Sequence, residues 1–399
     1  MSGRHDVIVT GGGLVGASLA IGLARRGLTT ALVEAHPYRA AEQPSYDDRT
    51  LALNHASCRI LDDLGIWPGL GEGVTPIREV RVSARGRLGT AVIAAEDMQV
   101  DALGHVIEGR LIGRAVIDAL PAVPGLTVFN PARVTTFHED RAGVVVDIDG
   151  EDGARTLHAS VLAGADGAES TIRRQLGLAC RRRDYGQSAI IANVTPERAH
   201  AGRAFERFTD TGPVAMLPHQ GQRCGSVWVT TDEQADALMA LDDDAYQAQL
   251  QERFGYRLGR LKRIGRRSRY PLRLVHAAQT VSGRTVVLGN AAHTIHNVAA
   301  QGFNLGLRDV ATLIDCLVVA LDEDRDPADA LLAYQAARTP DTDRIVSFTD
   351  TLIDAFAVDL PLLEHLPALG IMLVDRIPAL KRALARRTMG YGGSGRSAA

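Results

Sequence analysis

The stretch DVIVTGGGLVGASLAIGLARRGLTTALVE, residues 6–34, decides the fold. Residues 6–10 are a short apolar run that predicts a buried strand, and residues 30–33 predict a second, closing on Glu34. Between them Gly11, Gly13 and Gly16 stand in the spacing G-x-G-x-x-G, followed by a helix of small residues that ends at Gly27. A strand–turn–helix–strand unit of about 30 residues is the setting in which that spacing signals dinucleotide binding. Gly11 permits the tight turn, Gly13 lets the backbone approach a pyrophosphate, and Gly16 allows close helix–strand packing. The helix N-terminus offers N–H donors and the positive end of its dipole to the phosphates. Glu34 is placed to accept from ribose hydroxyls and argues against a 2′-phosphate. The unit predicts an ADP-containing cofactor without choosing which one.

The rest of the chain narrows the class. With 399 residues it can bury a large core in two or three lobes. It is 46% hydrophobic and 23% charged with a net charge of −3, which lacks the basic excess of a dedicated nucleic-acid binder. Its four cysteines, Cys58, Cys180, Cys224 and Cys316, form no C-x-x-C pair, so neither a zinc ribbon nor a redox dithiol is indicated. The N-terminus runs into a strand without an apolar signal region. Apolar runs such as LPALGIMLV fall short of the ~18–20 residues of a membrane span. The expected compartment is the cytoplasm, with peripheral contact to the inner membrane as its extension.

Beyond residue 70 the periodicity changes. REVRVSAR and TAVIAAED alternate like antiparallel strands, and residues 111–125 predict a helix ended by proline. From about 181 to 275 strand-like pieces dominate, including GRAFERFT, GPVAMLP and CGSVWVTT, with one helical interruption, DDDAYQAQLQERFG. RTVVLGN returns as a buried strand and leads into VLGNAAHTIHNVAAQGFNL, residues 287–305, and a helix. The pattern predicts an α/β (α+β) protein. Residues 1–71, 101–180 and 276–350 form a discontinuous Rossmann-like nucleotide-binding domain. Residues 72–100 and 181–275 form an inserted, mostly antiparallel substrate domain, and 351–399 a helical C-terminal segment with a flexible tail.

Three motifs need one explanation: the glycine turn, AGADGAESTIRRQLG at residues 163–177, and the stretch at 287–305. In this order and spacing they resemble the group A flavin-dependent aromatic monooxygenases of the para-hydroxybenzoate hydroxylase fold. DDRTLALNHASCRILDDLGIW, GRAFERFTDTGPVAMLP and GNAAHTIHNVAAQGFNLGLRDV resemble, more narrowly, the ubiquinone-biosynthesis hydroxylases. Within these the 2-polyprenyl-6-methoxyphenol hydroxylases, which oxidise the ring position para to the phenol oxygen, are the most similar branch.

The resemblance implies FAD as cofactor, NAD(P)H or another electron donor and O₂ as co-substrates, and a polyprenyl-phenol substrate. It implies oxygen transfer through a C4a-hydroperoxyflavin, with the chemistry on the flavin and no catalytic side chain assigned. Gly11, Gly13, Gly16 and Glu34 would hold the ADP half. Arg49 would lie toward the pyrophosphate or flavin, Arg110 beside the ribityl chain, and Asp166 on FAD. Gly289 and Asn290 would meet the ribityl and pyrophosphate, with Gly302 and Asn304 backing the isoalloxazine. An apolar chamber must exclude water from the reactive oxygen species, and Phe208, Met216, Pro218 and Trp228 are candidates for its wall. Core packing is the alternative for each. Two departures concern the loop over the flavin, where Asn297 and Ala300 stand in place of the family's proline and glycine.

Other readings compete for several of these residues. His293 and His296 lack the i,i+4 spacing and third ligand of a zinc site, so no metal is expected. One should pack beside the cofactor loop while the other hydrogen-bonds locally. Asp166 suits an N-terminal helix cap as well as a cofactor contact, and Arg49 on spacing alone is a surface ion-pair residue. The basic segment IPALKRALARRTMG reads as a surface helix on the catalytic lobe, or as a contact for anionic lipid or a biosynthetic assembly. The rival functions are a flavin hydroxylase of another phenol or ring position, a non-catalytic FAD-binding scaffold, and an NAD-dependent dehydrogenase. The late flavin motif weighs against the last.

Overall fold

The computed structural model describes residues 4–38, 50–86, 89–140, 142–295, 301–357 and 376–391. The fold is mixed α/β, built on two large sheets and a small one. In the first sheet the strand His5–Thr10 lies between Gly153–Gly164 and Thr30–Val33, parallel to both. Leu126–Phe129 and Thr285–Val287 extend it in parallel on either side. Val144–Gly150 and Ala132–Glu139 fold back antiparallel from its long strand. Both faces of the central strand are buried, as its continuous apolar run requires. Val7 and Val9 pack with Leu19, Leu23, Leu307 and Val310 on the helix side, and Ile8 packs with Val134, Val146 and Ile148 on the other.

The glycine turn is fixed by sterics at two points. Gly11 has φ +96°, and a Cβ there would lie 2.5 Å from the carbonyl oxygen of Ala165. A Cβ on Gly16 would lie 2.0 Å from the carbonyl oxygen of Gly11. Any side chain at either position would therefore part the helix Leu14–Arg25 from the sheet end that it approaches.

The second large sheet is centred on the 17-residue strand Cys180–Pro196, antiparallel to Cys224–Thr231 and Ser268–Ala277. Gly212–Pro218 and Arg203–Thr209 continue it, and Glu79–Ala84 joins parallel to Arg203–Thr209. On one face Ile190, Phe205, Val214, Met216 and Trp228 pack against Leu238, Tyr246, Leu250 and Phe254. Those partners lie on the helices Asp232–Ala240 and Asp243–Phe254. The other face turns toward the first lobe, where Val80, Ala204 and Leu217 meet Ala52, Ile77 and Val106. These last three belong to the three-stranded sheet of Thr50–Asn54, Gly104–Glu108 and Thr75–Ile77.

The helices Gln301–Asp322 and Pro327–Ala357 follow the last strands of the first lobe. The C-terminal helix Pro378–Thr388 docks through Leu384, Ala385 and Met389 on Ile93, Ala95 and Leu103. Lys381 pairs with Asp97 at 3.0 Å, and the Tyr391 hydroxyl lies 2.6 Å from His55 Nδ1.

Candidate functional site

At the glycine turn, Gly13 is the N-cap of the helix Leu14–Arg25, with no capping side chain and no acid in the first turn. The first-turn N–H groups thus lack a side-chain acceptor and face the region that a phosphate would occupy. Glu34, 5% exposed, accepts from the Gly12 N–H and, at 2.6 Å, from the His36 N–H. The carboxylate steadies the turn and keeps lone pairs for ribose hydroxyls. Asn130 holds the following loop, donating to the carbonyls of Glu34 (3.2 Å) and His36 (2.6 Å).

Asp166 braces a helix start with one carboxylate oxygen and buries the other. Its Oδ2 accepts from the N–H groups of Thr171 (2.7 Å) and Ile172 (3.2 Å), bracing the helix Thr171–Gln175. Its Oδ1 is buried without a hydrogen-bond partner. An unpaired buried carboxylate oxygen is costly, and a cofactor hydroxyl would satisfy it. One residue outside the sequence assignments ties this turn to the late motif. Arg173, 1% exposed, donates to the Ala291 carbonyl at 2.6 Å and the Ala168 carbonyl at 2.7 Å.

In the late motif, Gly289 abuts Val15 of the N-terminal helix, and its N–H donates to Asp309 Oδ2 at 3.1 Å. Asn290 is exposed, and its carbonyl accepts from the Thr294 hydroxyl. Gly302 stands in the first turn of Gln301–Asp322, and no described residue lies within 4 Å of where a Cβ would project. Asn304, 2% exposed, is bonded to the small sheet. Its Nδ2 donates to the Ala52 carbonyl at 2.9 Å and its Oδ1 accepts from the Asn54 N–H at 3.0 Å. Its side chain pairs with the edge of Thr50–Asn54 like a strand residue, which fixes the start of Gln301–Asp322 against that strand.

His293 is part of a buried charge network that the sequence reading did not identify. Its Nε2 meets Asp309 Oδ2, while Arg338 donates to Asp309 Oδ1 at 2.8 Å. Arg338 and Arg308 both reach Asp341 Oδ2, at 2.6 and 2.7 Å. Burial by itself would raise the Asp309 carboxyl, but the charges of His293 and Arg338 beside it hold it well below the usual carboxylate range. The network anchors the Gly289 loop to the helices Gln301–Asp322 and Pro327–Ala357. His296, Asn297 and Ala300 lie outside the described residues, as does Arg49.

Arg110 sits in the first turn of Gly109–Ala119, half exposed and paired with Glu108. Glu108 Oε1 also lies 2.9 Å from His219 Nε2, linking the small sheet to the end of Gly212–Pro218. Burial, aided by Arg223, lowers the imidazole of His219 although Glu108 acts in the opposite sense.

Of the expected chamber wall, Met216 and Trp228 are 0% and 2% exposed and belong to the core under the helices Asp232–Ala240 and Asp243–Phe254. Strand alternation puts them, with Pro218, on the face turned away from the first lobe. Phe208 falls on the opposite, half-buried face. There Ala215, Leu217 and Val227 are half-buried too, leaving an apolar surface toward the nucleotide-binding lobe.

The donor set fits FAD: an uncapped helix start at a glycine turn, an acid at the second strand's end, an orphaned Asp166 oxygen, and a Gly302 with no described residue within 4 Å of its Cβ position.

Comparison with known proteins gives concordant results. A family model described as an FAD binding domain matches residues 4–349. The chain is 38% identical over 387 residues to the ubiquinone hydroxylase UbiL of Rhodospirillum rubrum, covering 96% of this chain and 89% of that one. It is 30% identical over 397 residues to the 3-demethoxyubiquinol 3-hydroxylase of Escherichia coli, covering 96% and 98%. In fold it is similar to the p-nitrophenol 4-monooxygenase PnpA of Pseudomonas putida, with a TM-score of 0.80 at 18% identity over 99% and 100% of the chains.

Proposed function

The chain belongs to the FAD-dependent hydroxylases of ubiquinone biosynthesis, and on that footing we propose that it hydroxylates the aromatic ring of a polyprenylated methoxyphenol. It is an aromatic monooxygenase that uses FAD, O₂ and a reduced nicotinamide or another electron donor. The observation that carries the substrate class is the half-buried apolar face of the second sheet, with Ala215, Leu217 and Val227 turned toward the nucleotide-binding lobe.

Bound FAD supplies reduction by the donor and activation of O₂. The protein's share is binding, orientation and exclusion of water. The turn at Gly11, Gly13 and Gly16 would take the pyrophosphate on the N–H groups of Leu14–Arg25. Glu34 would accept from the adenosine ribose, Asp166 Oδ1 from a cofactor hydroxyl, and Gly289 and Asn290 would border the ribityl chain. The first turn of Gln301–Asp322 at Gly302 would direct its N–H groups and dipole toward the negative charge of the reduced ring. Phe208 and its apolar neighbours would seat the phenol and keep water away.

A polyprenyl tail brings substrate from a lipid phase. The exposed Leu380, Arg382, Arg386 and Arg387 of Pro378–Thr388 would suit anionic headgroups, or a partner in a biosynthetic assembly. No helix of the described residues is long and apolar enough to cross a membrane.

A second reading, oxidation of another ring position in the same pathway, is favoured by the name of the E. coli relative. Identifying the quinone intermediate that accumulates without the protein separates the two. A polyprenylated methoxyphenol lacking the para oxygen supports the first, and a demethoxyubiquinol the second. A scaffold would hold FAD that no nicotinamide donor reduces.

A further inference from the structure

We propose that Glu206 is the proton acceptor for the hydroxyl group of the phenolic substrate; this rests on the reading of the chain as a phenol hydroxylase. Glu206 lies on Arg203–Thr209, in register with Ala215 on one side and Val82 on the other. Its neighbour Phe205 points to the helix-covered face, where it packs edge-on against Phe254 at 5.6 Å. Alternation therefore turns Glu206, with Ala204, toward the first lobe. The side chains sharing that face around it are Ala204, Phe208, Ala215, Leu217, Val82 and Val227, all apolar. Ala52, Ile77 and Val106 of the facing small sheet are apolar as well. Arg203 and Arg207, the charged residues of the same strand, alternate to the opposite face.

A carboxylate in such surroundings is expensive unless something pairs with it. Glu206 makes no hydrogen bond or ion pair with a described residue, although it remains half-buried rather than sealed. That combination suits a group lining a hollow whose partner arrives with the ligand. Desolvation pushes its carboxyl up to about 7, which poises it between its two states at neutral pH, as general base catalysis favours. In the proposed step the phenolic O–H bond breaks and the proton forms an O–H bond on the Glu206 carboxylate. The electron pair stays on the phenol oxygen and spreads into the ring, enriching the positions ortho and para to it. After oxygen is inserted, the ring carbon bearing the new oxygen releases its hydrogen as a proton to water, the C–H electron pair restores the aromatic ring, and the Glu206 proton returns to the phenol oxygen.

The test uses the full-length FAD-loaded protein with 2-methoxyphenols carrying one or three isoprene units at position 6. Difference spectra of the oxidised protein should show a phenolate band from the bound probe, growing with pH around an apparent value near 7. In Glu206→Gln the probe should bind but stay protonated, and kcat should fall by on the order of 10²–10⁴-fold, with partial recovery in Glu206→Asp. Stability supplies a second readout. A raised folded-state pKa means the ionised acid destabilises the fold, so E206Q should melt above the wild type at pH 8, the gap closing toward pH 5. A wild-type phenolate band and rate in E206Q would overturn the role of Glu206 while leaving the hydroxylase reading intact. If the wild type neither binds nor hydroxylates either probe, the hydroxylase reading falls and this proposal with it.

Discussion

Asn304 and Asp309 stand on one helix, and their side chains do different work. Asn304 spends both polar atoms on the backbone of Thr50–Asn54. Asn304→Leu should therefore leave a buried N–H and C=O unpaired and cost about 2–4 kcal/mol in chemical denaturation, with FAD content falling as helix and strand part. Unchanged stability would contradict that bridge. Asp309 is held ionised by His293 and Arg338. Its lowered pKa gives a stabilisation complete above the unfolded value of about 4 and lost as pH falls through the folded value. Asp309→Asn should thus cost about 3–5 kcal/mol at pH 7, the gap to the wild type narrowing below about pH 4. A gap independent of pH would contradict the charge network. Neither arrangement was legible in the sequence, because the partners of Asn304 lie some 250 residues away and Arg338 belongs to the next helix. For the same reason His293 was expected to pack beside the cofactor loop or to hydrogen-bond locally, without its ionic partners in view.

Elements were read more successfully than faces. The strand–turn–helix–strand unit at 6–34 was legible because apolar period, glycine spacing and the closing acid agree at one place. The strands GRAFERFT, GPVAMLP and CGSVWVTT were equally plain, yet alternation alone does not say which face meets a ligand. Met216 and Trp228, candidates for the chamber wall with core packing as the alternative, lie under the helices Asp232–Ala240 and Asp243–Phe254. A signal was present: the large apolar side chains on one face match Leu238, Tyr246 and Leu250, while the other face is smaller and interrupted by one acid, Glu206. Trp228→Ala should accordingly cost about 3–5 kcal/mol and leave the KM for phenol unchanged at temperatures where the variant is folded. A large rise in KM with little loss of stability would return Trp228 to the chamber wall.

At the scale of the molecule, the sequence announces a nucleotide lobe joined to an antiparallel one. What it leaves open is how they are joined. Residues 75–77 pair with Gly104–Glu108 in the small sheet, whereas Glu79–Ala84 crosses to lie beside Arg203–Thr209. That short segment joins the two lobes at one place, and His293–Thr294, pairing antiparallel with Ser268–Ala277, joins them at another, so that the apolar face of the second sheet turns toward the first lobe. That juxtaposition suits transfer of one atom of O₂ to a phenol ring. The direct measurement supplies the FAD-loaded protein with NADPH, ¹⁸O₂ and a 6-prenyl-2-methoxyphenol, and weighs the product. The expected product is a ring-hydroxylated phenol carrying a single ¹⁸O atom. Oxidation of the donor with only hydrogen peroxide formed, or a product whose new oxygen comes from water, would contradict that transfer.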